Sequence, residues 1–170
     1  SIENEYFRLT VDTASGEVIS LWDIANQREL RFNNPPESGG TMVPFNALLR
    51  ASHKSTFSTG LYEVVESGQA QVEVNAGGNL PIQEITVKRS GSIFLETQYR
   101  LEAGQPWLEV VNQLDRSKMP HVPATDHSDL YYFAFPFNLE QNDLTLRLES
   151  AAGFLNPALD LLPGSNGRGF

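Results

Sequence analysis

The chain has 170 residues, with 21 acidic and 12 basic side chains, a formal net charge of −9 and no cysteine. A domain of this size removes roughly 70% of its extended-chain surface from water on folding, so a composition that is 40% hydrophobic builds a core and argues against disorder. The missing cysteines exclude disulfide frameworks, thiolate zinc sites and Cys nucleophiles; the acidic surplus excludes a phosphate-neutralising surface for nucleic acid; and no segment reaches the ~20 apolar residues of a membrane span or has the pattern of a signal peptide. A soluble chain is expected.

The hydrophobic repeat is two almost throughout, the period of extended strands with alternate side chains on opposite faces, so an all-β fold is expected. Phe7, Leu9 and Val11 alternate with Tyr6, Arg8, Thr10 and Asp12. Ala14-Ser15-Gly16-Glu17 supplies turn chemistry, and the chain returns from Val18 to Asp23 with Ile19 and Leu21 on one face, a first hairpin. Residues 33–41 hold no apolar side chain and read as a loop, and within the undecided stretch 42–60 the segment 45–50 fits a short helical turn or a strand.

Alternation resumes over 61–66, 71–75, 82–89, 93–102, 107–114, 131–137 and 144–149. The connections are short and rich in Gly, Ser and Asn, as antiparallel neighbours require, so a meander folded into two packed sheets is predicted. In the strand 93–102, Ile93, Leu95, Thr97, Tyr99 and Leu101 form one face, and the other is largely wet. Residues 115–128 form a long polar connection with two prolines and two histidines, a length uncommon in loops without a function. The Gly- and Pro-rich end, from Gly153 to Phe170, predicts a β-sandwich truncated at its C-terminus, with residues 1–170 a single domain.

His53, His121 and His127 are the histidines, and Asp126-His127-Ser128-Asp129 sets two carboxylates and an imidazole in four residues. Consecutive loop residues point different ways, so turn-forming polar residues describe this run better than a metal or general-base site. Glycoside hydrolysis needs paired carboxylates, but Glu96, Glu102 and Glu109 lie on strands with polar alternates and read as solvated-face residues. There is no Gly-x-Ser-x-Gly turn and no Gly-rich phosphate loop. Aromatic side chains can stack on sugar rings, and the alternation leaves the direction of Trp22, Trp107, Tyr131 and Tyr132 open. The aromatic run 131–137 is expected to be buried on both faces. The candidates for carbohydrate binding are therefore Trp22, Trp107, His121, Asp126, His127 and Tyr131, with no catalytic and no metal-binding residue assigned.

Four motifs in order resemble the β domain that follows the catalytic barrel in α-mannosidases of glycoside hydrolase family 38. Ile2-Glu3-Asn4, then Gly16, then Ser20-Leu21-Trp22-Asp23 is similar to that family's "LEN" strand, Gly turn and "SLYD" strand. Asn112-Gln113-Leu114-Asp115-Arg116 is similar to its "N-x-L-D-K", Tyr132-Phe133-Ala134-Phe135-Pro136-Phe137 to its "YFAFPF", and Asp160-Leu161-Leu162-Pro163-Gly164-Ser165-Asn166 to its "DQLPGAN". The match is poor over 42–80 and 119–128. The resemblance implies a galactose-mutarotase-like supersandwich and a parent enzyme that cleaves α-mannosidic bonds with retention. It also implies that the nucleophile and the zinc ligands belong to an N-terminal catalytic barrel, so no catalytic or metal residue carries over to this chain.

The leading expectation is a non-catalytic β-sandwich domain that supports that barrel and contacts a mannose-containing glycan. The alternative is a stand-alone carbohydrate-binding or interaction module. A free-standing aldose epimerase rests on fold analogy alone.

Overall fold

A computed structural model describes residues 1–32, 43–52, 62–65, 68–77, 80–119, 129–139, 148–150 and 153–155. Among the described residues every regular element is a strand apart from a 3-10 turn at Arg116–Lys118, so the fold is all-β, as the period-two pattern predicts. No helix among them is long and apolar enough to cross a membrane. The chain divides into two compact units, Ser1–Asn138 and Leu139–Phe170.

The first unit is an antiparallel β-sandwich built from three sheets. One sheet runs in sequence order through β1 (Ile2–Glu3), β2 (Phe7–Val11), β3 (Val18–Asp23) and β4 (Arg28–Glu29). In a second sheet, β5 (Ala47–Ser52) lies between β6 (Tyr62–Val64) and β11 (Asp129–Ala134). The third is the predicted meander, β7 (Gln69–Asn75), β8 (Ile82–Ser90), β9 (Phe94–Glu102) and β10 (Glu109–Leu114), each paired antiparallel to the next. In the second unit β12 (Leu148–Ser150) pairs with β13 (Gly153–Leu155).

The core lies between the β1–β4 sheet and the β7–β10 sheet. Ile2, Leu9, Val11, Val18 and Leu21 meet Ile85, Val87, Tyr99 and Leu101 in one buried cluster, which Phe45 joins from ahead of β5. Burying each such side chain stabilises the fold by about 1.5–3 kcal/mol. The β5 sheet is attached through aromatics: Phe45 meets Phe135 and Phe137 edge-on, each with centroids 5.4 Å apart, and Phe133 lies 5.3 Å from Phe94.

Two strands depart from simple alternation, and each departure is a one-residue bulge. Thr10 faces Ser20 and Val11 faces Val18, so Ile19 has no partner across the pair. Val18 is consequently buried at 1% exposure and Ile19 is 47% exposed, which corrects the expectation that Ile19 shares the inner face with Leu21. Likewise Gln113 faces Glu96 and Leu114 faces Phe94, leaving Leu95 as the extra residue. Phe94 thereby turns inward, 2% exposed, to the same side as Thr97, Tyr99 and Leu101.

The segment 45–50, which fits helix or strand, is a turn at Phe45–Asn46 followed by β5, and residues 53–60 lie outside the described residues; Asn46 holds φ at 59°, a left-handed conformation that Asn tolerates. The run 131–137 is not buried on both faces: Tyr132, Phe135 and Phe137 are 38%, 38% and 45% exposed. Past Ala134 the chain leaves β5 and pairs beside Leu30 and Phe32, where Phe32 N–H donates to Pro136 O at 3.0 Å and Asn138 N–H to Leu30 O at 2.7 Å. Phe135 and Phe137 lie on this crossing, and Tyr132 precedes it on β11.

Candidate functional site

Leu108 and Val110 pack against the core, so the alternate residues Trp107, Glu109 and Val111 must face outward. Trp107 is 54% exposed, the most exposed of the described large hydrophobic side chains, and stands just before β10. On the same outer face β8 presents Ile82 and Glu84, and β9 presents Arg100 and Glu102, with Ile82 opposite Glu102 and Glu84 opposite Arg100. These side chains line a groove of about 350 Å³ with Trp107 and Glu109.

The groove has an ordered charge pattern. The Arg100 guanidinium is hydrogen-bonded to Glu84, donates to Gln98 Oε1 at 2.8 Å and lies 3.5 Å from a Glu109 oxygen. The hydrogen bond from Arg100 holds the Glu84 carboxyl below its ordinary pKa, against a smaller upward push from burial, and Thr86 donates to its other oxygen at 3.0 Å. Glu84 is thus kept ionised, suited to accepting hydrogen bonds from hydroxyl groups.

The turn that carries Trp107 is clasped from the first sheet. Asn4 Nδ2 donates to both Glu102 O and Gln105 O at 2.9 Å, while Asn4 Oδ1 accepts from Tyr6 N and Phe7 N at 3.0 and 2.8 Å. Glu5 adds a carboxylate that accepts from Gly104 N at 3.0 Å. A single asparagine therefore fixes the β1–β2 turn and the β9–β10 turn to each other, and with them the approach to the indole.

Of the other sequence candidates, Trp22 is half-buried on β3 opposite Arg8 and Glu29, in a different sheet from Trp107. Tyr131 is half-buried on β11 opposite Arg50. His121, Asp126 and His127, with His53, lie outside the described residues. The structure brings Trp107 together with Glu102 and Glu109, which sequence alternation reads as solvated, and does not bring Trp22 or Tyr131 to them.

No family model, curated protein or solved structure matches the chain. Among the described residues no three His, Asp or Glu side chains converge on a point.

A second polar constellation escapes sequence reading. Arg89 lies in phase with Ile85 and Val87 on the inner face of β8 and is half-buried. Its guanidinium carbon sits 4.3 Å over the Phe94 ring, and it donates to Thr97 Oγ1 at 3.1 Å and Gly16 O at 3.4 Å. Thr97 in turn donates to Asn112 Oδ1 at 3.0 Å, and Asn112 and Asn46 exchange amide hydrogen bonds of 2.8 and 2.9 Å. Asn46 Nδ2 also donates to the buried Tyr99 hydroxyl at 3.1 Å. Burial pushes the Tyr99 phenol up and the Arg89 guanidinium down from their ordinary values. Arg89, Asn46 and Phe94 line a cavity of about 470 Å³. The signal available in the sequence was Arg89 itself, a charge at the inward phase of an otherwise apolar face.

Proposed function

We propose that this chain is a β-sandwich domain of an α-mannosidase-like retaining glycoside hydrolase, and that it holds a mannose-containing glycan on the outer face of β8–β10. The observation that carries the sugar-holding part is Trp107, exposed over a groove whose rim is Glu84, Glu102, Glu109 and Arg100. A pyranose ring offers an apolar face and a rim of hydroxyls. The indole takes the first, carboxylate oxygens accept from the second, and Arg100 donates to ring or hydroxyl oxygens.

The ordered motif set supports the parent enzyme, and three of its residues have defined anchoring roles. Asn4 clasps two turns, Asp23 accepts from Asn26 N and Nδ2 at 3.0 and 2.7 Å in the β3–β4 turn, and Asn112 sits at the centre of the buried polar network. In this reading the parent's N-terminal barrel supplies zinc and the nucleophile, and this chain supplies the scaffold and a grip on the glycan. A stand-alone carbohydrate-binding module is the second reading, favoured by one fact: the groove is lined by residues of this chain.

Calorimetric titration with α-mannobiose tests the site. Wild-type chain binds saturably, and Trp107→Ala weakens binding about tenfold or more while Trp22→Phe leaves it unchanged. Equal binding by Trp107→Ala and wild type would contradict the site. Supplied with zinc, the chain leaves an aryl α-mannoside intact; zinc-dependent turnover contradicts the placement of the chemistry in a barrel. Reading the coding region upstream of Ser1 separates the two parent readings, since only the first requires a barrel there.

A further inference from the structure

The cavity around Arg89 has no part in the sugar-holding face. We propose that it binds a small organic anion, a carboxylate carried on an apolar body, whose charge meets the Arg89 guanidinium.

Three observations converge on this ligand. Among the described residues Arg89 has no carboxylate within ion-pair distance; its hydrogen bonds go to neutral oxygens, those of Thr97, Gly16 and Val87. Its Nε is buried and has no hydrogen-bond partner. A guanidinium half withdrawn from water with no carboxylate in contact is costly, and a ligand carboxylate offsets that cost with charge-assisted bonds.

The guanidinium is also held in place before any ligand arrives. Phe94 lies under its plane, and Thr97, its firmest partner, is fixed from behind by the Asn112–Asn46 pair. An arginine whose orientation is set in advance loses little freedom on binding, the condition for a specific anion site.

Finally, the space is there and has the right lining. A cavity of about 470 Å³ falls within the range of small-molecule sites, and Phe45, Leu48, Val65 and Phe94 give it apolar walls. Glu17, an exposed turn residue, also lines it and is an acidic group whose field reaches Arg89. A bare inorganic anion would leave the apolar walls unused, whereas a carboxylate with a ring or short chain uses both features.

The test is calorimetric titration of the 170-residue chain with benzoate, with benzamide as its neutral counterpart and with inorganic phosphate as an anion lacking the apolar body. Benzoate binds saturably, and benzamide and phosphate bind at least about tenfold more weakly. Glu17→Gln, which removes an opposing charge from an exposed turn, tightens benzoate about threefold. Val65→Trp, which fills the cavity and keeps Arg89, abolishes benzoate binding, as does Arg89→Gln. Benzoate and benzamide binding alike, phosphate binding as tightly as benzoate, no saturable binding by the folded wild type, or an unchanged affinity in both Glu17→Gln and Val65→Trp would each overturn the proposal. These two variants retain the arginine, so the test stands even if Arg89→Gln does not fold. Trp107→Ala leaves benzoate binding intact, so failure of this site and failure of the sugar-holding face are read separately.

Discussion

Gly16 shows how one residue without a side chain lets two sheets approach. Its φ is +71°, and a Cβ placed there would sit 2.5 Å from Val87 Cγ1 and 2.9 Å from the Ala70 Cβ, both on the opposite sheet. Gly16→Ala therefore meets backbone strain of about 1–3 kcal/mol and an overpacked contact of similar size, together about 2–6 kcal/mol of lost stability in urea titration. Gly91 has φ +81° with nothing within 4 Å of its added Cβ, so Gly91→Ala meets the strain alone. Equal losses for the two variants would contradict the close approach at Gly16. The same scale shows what sequence could and could not reveal. Gly16 is legible as a turn residue, but its partners Ala70 and Val87 are far along the chain. Asn4 and Asn112 stand out in the motifs, yet Asn4 acts on Glu102 and Asn112 on Asn46, contacts that only the folded chain creates.

At the scale of the element, register decides which side chains are buried. The bulges at Ile19 and Leu95 each insert one residue, so the inward set on either side of them keeps to the core. Removing Leu95 restores plain alternation, with Phe94 and Thr97 still inward, and the deleted chain unfolds cooperatively with a loss of about 1–3 kcal/mol. Removing Gln98 instead turns Thr97 and every residue before it to the wrong face up to the bulge, and cooperative unfolding is lost. Urea melts followed by far-UV circular dichroism distinguish the two; similar behaviour of both deletions contradicts the assigned register. Strands β2 and β8 were legible because apolar and polar residues alternate over five positions in each, 7–11 and 84–88, whereas β10 sets Val110 beside Val111 and so leaves its faces open. Strands β1 and β4 have two residues each, too few to show a period, and a bulge reads in sequence only as a break in phase.

For the whole molecule, charge sets the response to acid. The Glu84 carboxyl is lowered by its bond from Arg100. Burial of Asp23 pushes its carboxyl up, but the Asn26 hydrogen bonds and the Arg28 charge outweigh it, so the net shift is downward. A carboxylate with a depressed folded pKa lends stability that is complete above its ordinary value and is lost as pH falls through the folded one. Stability should thus hold from neutral pH to about the ordinary values, 4.5 for Glu84 and 3.8 for Asp23, and decline below them. Thermal melts at low protein concentration check this, since solubility is least near the pI of 4.7; stability rising steadily from pH 4.5 to 3 contradicts it.

The central claim is that Trp107, and not Trp22, meets a sugar. The chain has two tryptophans and hence two indole N–H resonances, which Trp22→Phe assigns. Titration with α-mannotriose followed by nuclear magnetic resonance is therefore the most direct measurement. The account predicts that the Trp107 resonance moves saturably while the Trp22 resonance stays in place. Movement of Trp22 with Trp107 unmoved, or movement of neither, would contradict it.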